Sequence, residues 1–137
     1  MSLDRLPHTM QLRVRYSETD QLGTFYNSRA LEWFECGRTE ALRAVGLPYA
    51  EFEQRGAFLP LVEAHVNYRG RAKYDDVLVV CTRISASGRA SLRFDMEIAH
   101  ADGAKVVDGY TVHAITDASG RPIRCPAWLT ELLTENS

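Results

Sequence analysis

Residues 15–27 read Arg-Tyr-Ser-Glu-Thr-Asp-Gln-Leu-Gly-Thr-Phe-Tyr-Asn, and they place one carboxylate, Asp20, just ahead of a long stretch with helical character. A carboxylate beside a helix start combines two chemical devices. The side chain is a base or nucleophile, and the first backbone N–H groups of the helix lack partners and carry the positive end of its dipole. Attack on a carbonyl needs an activated oxygen and donors for the oxyanion that forms, with no metal required. Taken alone, Asp-x-x-Gly is more often an ordinary turn, because aspartate caps its own backbone and glycine supplies the left-handed conformation.

The elements that must hold this junction follow from periodicity. Residues 10–16 alternate, with Met10, Leu12, Val14 and Tyr16 on one face of a first strand, and residues 17–26 form a loop. Residues 27–45 contain no proline, and Ala30, Phe34, Gly37, Ala41 and Val45 recur at helical spacing. Gly46 and then Leu47-Pro48 end that helix. Gly37 inside it costs about 1 kcal/mol relative to alanine, which implies close approach of another backbone. A short second helix is expected over residues 49–55.

After Gly56 the period changes to two. Val62, Ala64, Val66 and Tyr68 face one way, and Glu63, His65, Asn67 and Arg69 the other. A third strand is expected over residues 75–86, followed by a Ser87-Gly88 turn. Residues 89–101 alternate most clearly, with Leu92, Phe94, Met96 and Ile98 opposite Ser91, Arg93, Asp95 and Glu97. Asp102-Gly103 turns the chain into a fifth strand over residues 105–116. Ser119-Gly120 breaks it, and residues 128–133 suggest a short terminal helix.

The bulk properties are those of a single globular domain spanning residues 1–137, with 45% apolar and 25% charged residues. A net charge of -2 argues against a dedicated nucleic-acid binder. No window approaches the roughly 20 apolar residues of a membrane span, and residues 1–7 hold no apolar run, so no membrane partner and a cytoplasmic location are expected. Cys36, Cys81 and Cys125 form no metal spacing with one another or with the histidines, and read as reduced, mostly buried thiols. His8, His100 and His113 likewise show no metal spacing, and no cofactor is implied. Five strands at about 4.8 Å make a sheet about 24 Å wide, whereas a helix is only about 10 Å across. One helix covers such a sheet only if the sheet curls around it, and the apolar surface and edge left over predict a homodimer or a homotetramer built as a dimer of dimers.

With these elements in place, residues 13–133 resemble the hotdog-fold acyl-CoA thioesterases of the 4-hydroxybenzoyl-CoA thioesterase type. The resemblance rests on Arg15-Tyr16-x-x-Thr19-Asp20-x-x-Gly23, Tyr26-Asn27 and Glu35-x-x-Arg38-Thr39, with further agreement at Tyr68-x-x-x-Ala72-x-Tyr74-x-Asp76 and Gly120-Arg121-Pro122-Ile123. It implies an α+β hotdog fold, a five-stranded antiparallel sheet curled around one long central helix, and an acyl-CoA substrate. Asp20 matches the family's catalytic aspartate, a nucleophile or a general base toward water. Asn27, with Tyr26, matches the start of the central helix, whose backbone N–H polarises the thioester carbonyl. Arg89 and Ser91 lie where the family often contacts the nucleotide end of coenzyme A, although both also fit the solvent face of an alternating strand. Glu18 stands where many members have aspartate, Arg71 where proline is usual, and Ala30 where tyrosine is common, which leaves the acyl pocket's shape open.

Other candidates have plainer readings. Glu35 and Arg38, one turn apart, read as an intrahelical ion pair. Glu63 and His65 read as structural or interfacial, and Cys36 as a small core residue. Arg69, Arg71 and Lys73 fit either phosphate binding or solvation. Rival functions are an acyl-carrier-protein thioesterase and a non-catalytic acyl-CoA-binding module; a hotdog dehydratase lacks its histidine in the Asp20 motif.

Overall fold

Alternation along residues 91–100 becomes a half-buried central strand, with Leu92, Phe94, Met96 and Ile98 all buried against the single long helix. In chain order the computed structural model, which describes residues 7–134, has β1 (His8–Arg13), a 3-10 turn (Tyr16–Glu18), α1 (Arg29–Ala44), α2 (Tyr49–Gln54), β2 (Leu61–Tyr68), β3 (Val77–Ala86), β4 (Ser91–His100), β5 (Lys105–Ala114) and α3 (Ala127–Thr134). Residues 1–6 lie outside the described residues. The five strands form one antiparallel sheet in the order β1-β3-β4-β5-β2. The α+β arrangement that the resemblance implies is the one observed, and the order of strand, long helix and four further strands is the one the periodicity predicts.

α1 lies against β1, β3 and β4. Its buried face includes Ala30, Trp33, Phe34, Gly37, Arg38, Ala41 and Leu42. α2 and α3 close one end, where Phe52 meets Trp128 edge to face at 5.7 Å and the Arg55 guanidinium lies 5.0 Å from the same indole ring. Among the described residues no helix is long and apolar enough to cross a membrane.

Several expectations shift. β1 ends at Arg13 and not at residue 16, because the chain leaves the sheet into the 3-10 turn, so Tyr16 is 76% exposed and does not share the buried face of Val14. The close neighbours of Gly37 are side chains and not a backbone: a Cβ there would meet Thr82 Oγ1 at 2.8 Å and Val80 Cγ1 at 2.9 Å. None of the three cysteines is buried, since Cys36 is exposed and Cys81 and Cys125 are half-buried. Cys36 lies off the buried stripe of α1, one position before Gly37.

The two sheet edges are β1 and β2. β2 carries Leu61 at 52% and Val62 at 61% exposure, which is the uncovered apolar edge that the width of the sheet demanded.

One sheet position is fixed by space alone. A Cβ on Gly109, in the middle of β5, would sit 1.9 Å from the His65 carbonyl oxygen on β2. Rigid backbone cannot give way there as a side chain tip can, so Gly109→Ala is expected to cost about 3 kcal/mol, the upper end of the usual overpacking range. Urea unfolding of the variant against wild type measures this.

Candidate active site

Glu18 organises the segment that carries Asp20. It is only 3% exposed. Its carboxylate accepts the Arg15 backbone N–H at 2.7 Å, the Arg15 guanidinium at 3.3 Å and the Trp33 indole N–H at 2.9 Å. Burial pushes its pKa up, but the hydrogen bonds from the Arg15 backbone, the Trp33 indole and the Arg15 guanidinium outweigh that push and hold the carboxyl below its ordinary value. Glu18, at the third position of the turn, bonds back to the N–H of Arg15 before it, one half of a capping box. Arginine has no acceptor to supply the other half, so Arg15-x-x-Glu18 lacks the Ser/Thr signature and the anchor was not legible from the sequence.

From this anchor the chain makes a small hairpin. Thr19 and Phe25 form an isolated antiparallel bridge. The Asp20 N–H donates to the Thr24 carbonyl at 2.8 Å, and the Gly23 N–H to the Asp20 carbonyl at 3.1 Å. Gly23, at φ +83°, takes the left-handed position that lets the loop close. Asp20 Oδ1 accepts the Leu22 N–H at 2.8 Å, so Asp20 is indeed a turn residue. Its second carboxylate oxygen has no partner among the described residues and is available for chemistry.

The hairpin is stitched to residues 70–72. The Phe25 N–H donates to the Ala72 carbonyl at 2.9 Å, and Thr24 Oγ1 bonds both the Ala72 carbonyl at 3.3 Å and the Ala72 N–H at 3.2 Å. Beyond it, the Tyr26 N–H donates to the Glu18 carbonyl at 2.7 Å, and the Tyr26 carbonyl accepts the Arg29 N–H. Of the two residues matched to the helix start, Tyr26 has thus already committed its N–H. The Asn27 N–H has no acceptor among the described residues, while the Asn27 carbonyl accepts the Tyr68 hydroxyl at 2.6 Å. Asp20, Thr24, Phe25, Tyr26, Asn27, Tyr68, Gly70 and Arg71 line one cleft of about 250 Å³.

Other candidates fall elsewhere. Arg89 and Ser91 lie at the start of β4, where Ser91 Oγ donates to the Ser87 carbonyl and the Arg89 carbonyl accepts the Cys125 N–H. The Asp20 hairpin is docked beside the far end of the sheet, and the ten residues of β4 span about 33 Å. A single chain does not bring these two residues to Asp20. Ala30 is fully buried in the core and does not line the cleft. Glu35 and Arg38 form no ion pair among the described residues; Arg38 turns into the core beside Tyr49, with its Nε left without a hydrogen-bond partner among them. Glu63 and His65 face the opposite side of the sheet, Glu63 accepting the Tyr110 hydroxyl and His65 bonding Asn67. A larger depression of about 380 Å³ lies on that outer face, between His65, Arg83, Asp95 and Tyr110. It is remote from Asp20, and Asp95 there is already paired with Arg93. In the loop before β3, Arg69 pairs with Asp108 and Arg71 reaches the cleft. Among the described residues, no group of three His, Cys, Asp or Glu side chains is placed to hold a metal ion.

Comparison with known proteins gives the family of the chain and relatives that share its fold. A family model described as the Thioesterase-like superfamily matches residues 14–133. A Bacillus subtilis protein named "Putative acyl-CoA thioesterase YneP" is 30% identical over 125 residues, 88% of this chain and 91% of that protein. A DHNA-CoA thioesterase of known structure from Staphylococcus aureus is 26% identical, with a TM-score of 0.81 covering 88% of this chain and 81% of that one. A 4-hydroxybenzoyl-CoA thioesterase mutant complexed with 4-hydroxybenzoyl CoA superposes with a TM-score of 0.80 at 24% identity, covering 94% of this chain and 99% of that one, and shares the hotdog fold.

Glu18 gives a pH-dependent handle on the site. Its folded pKa lies below 4.5, so the stability it contributes is fully present above that value and is lost as the pH falls through the folded pKa. Glu18→Gln should lower stability at pH 7 by about 1–3 kcal/mol, because the amide cannot accept all three donors. The gap to wild type should then narrow on acidification below about pH 4.5. Thermal melts of both proteins across pH 3–7 check the sign.

Proposed function

Since the chain belongs to the Thioesterase-like superfamily, we propose that it hydrolyses an acyl-CoA thioester of small or medium size to the carboxylic acid and free CoA. The observation that carries this reading is the cleft lined by both Asp20, one of whose carboxylate oxygens is without a partner among the described residues, and Asn27, whose N–H likewise has no acceptor among them. The thioester carbonyl sits between them. As general base, Asp20 takes a proton from water while the water oxygen bonds to the carbonyl carbon. The oxyanion accepts the Asn27 N–H, aided by the positive end of α1. Collapse of the tetrahedral intermediate breaks the C–S bond, and the CoA thiolate leaves and takes a proton. As nucleophile, Asp20 bonds the carbonyl carbon itself, CoA thiolate leaves, and water then cleaves the resulting anhydride. Both routes use the same two groups. The Tyr26 N–H, committed to Glu18, serves by fixing the helix entry.

Arg89 and Ser91 contact the nucleotide end of CoA only if a second copy supplies them, and this favours a homodimer, alone or as a dimer of dimers. The exposed apolar edge of β2 is the surface that supports such pairing.

Asp20→Asn keeps the acceptor for the Leu22 N–H and removes the base or nucleophile. Its kcat for thiol release from acyl-CoA should fall about a thousandfold or more with an unchanged melting temperature. Retention of wild-type kcat would sink the assignment. Screening short, branched, aromatic and long acyl-CoA esters for thiol release identifies the acyl group.

A further inference from the structure

A helix that begins without a capping side chain leaves its first peptide groups to be held from elsewhere. α1 begins in this way. Its N-cap, Ser28, has helical dihedrals (φ −68°, ψ −17°) and makes no side-chain cap bond. The Asn27 carbonyl, the last peptide oxygen before that cap, accepts a long bond from the Ala30 N–H at 3.3 Å and a short one from the Tyr68 hydroxyl at 2.6 Å. Tyr68 comes from the far end of β2, a different element, and is half-exposed. A side chain with open access to water has instead engaged its hydroxyl on a backbone oxygen beside Asp20.

The position of that hydroxyl is itself supported. The Tyr68 ring stacks on Phe25 at 6.2 Å and 23°, Phe25 lies 4.9 Å from Trp33, and the Trp33 indole donates to the buried Glu18 carboxylate. Three aromatic rings thus run from the buried anchor of the loop to the helix entry. On the other side of Asn27, the Tyr26 carbonyl is held by the Arg29 N–H at 2.9 Å. The peptide groups flanking Asn27 are therefore both pinned, one by the helix and one chiefly by Tyr68. Peptide planarity ties the Asn27 N–H to the plane of the Tyr26 carbonyl that Arg29 holds, and the two dihedrals at Asn27 join that plane to the one Tyr68 clamps, so the turn that orients the N–H is fixed from both sides.

We infer that Tyr68 is a positioning residue for the reaction: by clamping the Asn27 carbonyl, its hydroxyl aims the Asn27 N–H at the oxyanion of the thioester. The inference rests on the thioesterase reading of the cleft. Tyr68 acts through Asn27 and removes no proton from substrate. Its effect belongs to the transition state, where the oxygen carries charge, more than to the ground-state complex. A displacement of about 1 Å in such a group costs about a hundredfold in rate, and complete loss of an oxyanion donor costs about a hundred- to a thousandfold. Phenylalanine keeps the ring stack and removes only the clamp, so a smaller loss follows.

The test compares wild type, Tyr68→Phe, Tyr68→Ala and Asp20→Asn as full chains, by thiol release from an acyl-CoA that wild type turns over. Tyr68→Phe is expected to lower kcat about tenfold while KM stays within about twofold and the melting temperature is unchanged. Tyr68→Ala, which also breaks the stack on Phe25, should lose more kcat and lower the melting temperature. A kcat for Tyr68→Phe within about twofold of wild type overturns the inference, as does a loss confined to KM, which marks a substrate contact in place of a clamp. Failure here is separable from failure of the functional reading. If wild type releases no thiol from any acyl-CoA, the reading of the cleft falls. If wild type turns over, Asp20→Asn does not, and Tyr68→Phe matches wild type, only the role of Tyr68 falls.

Discussion

The structure around the cleft depends on one buried carboxylate. Glu18 sits at the junction of β1, the Asp20 hairpin and α1, and its three donors come from the backbone and side chain of Arg15 and from Trp33. An ionised carboxylate out of water is tolerated only when its oxygens are satisfied, and removing one partner leaves the full desolvation cost exposed. That asymmetry makes the anchor strict. The 3-10 turn, the Tyr26 N–H bond to the Glu18 carbonyl and the hairpin between them all inherit their position from it. Asp20 is held without being buried, and one of its oxygens is left free.

The sheet contributes rigidity and placement. β1, β3 and β4 pair beneath α1, so the inner face is a packed core, while the outer face is a lattice of polar contacts such as Arg93 over Tyr110 and Tyr110 to Glu63. Glycines mark where backbone passes backbone. A Cβ at Gly70 would lie 2.4 Å from the Lys105 carbonyl, so only glycine lets the segment before β3 lie against β5 and carry Arg71 to the cleft. His113, buried among the inward side chains of the sheet, bonds the Leu59 carbonyl and Thr111 Oγ1, and burial holds its pKa below the ordinary histidine range.

Much of this was legible in the chain. The strand faces followed from period two because one side of each central strand must be apolar, and β4 alternates as buried and less buried almost throughout. α1 followed from its stripe, and the Asp20 turn from Asp-x-x-Gly. Other features were not legible, because their causes are distant in sequence. Glu18 finds its indole partner fifteen residues away, and the Asn27 carbonyl finds Tyr68 forty-one residues away. Cys36 and Arg38 were misjudged for a different reason, since the stripe itself places them: Arg38 lies one turn from Phe34 on the buried face, and Cys36 lies off it.

The sequence by itself determined the element order, the antiparallel pairing of the last strands and the presence of a carboxylate ahead of a helix, because these are set by local periodicity and turn chemistry. Only the tertiary structure decided which oxygen of Asp20 is free, that the Tyr26 N–H is committed and the Asn27 N–H is not, and that Arg89 and Ser91 lie at the other end of the sheet. Hydrogen bonds between distant segments allocate the donors and acceptors of the backbone. A pattern along the chain carries no record of that allocation until the chain has folded.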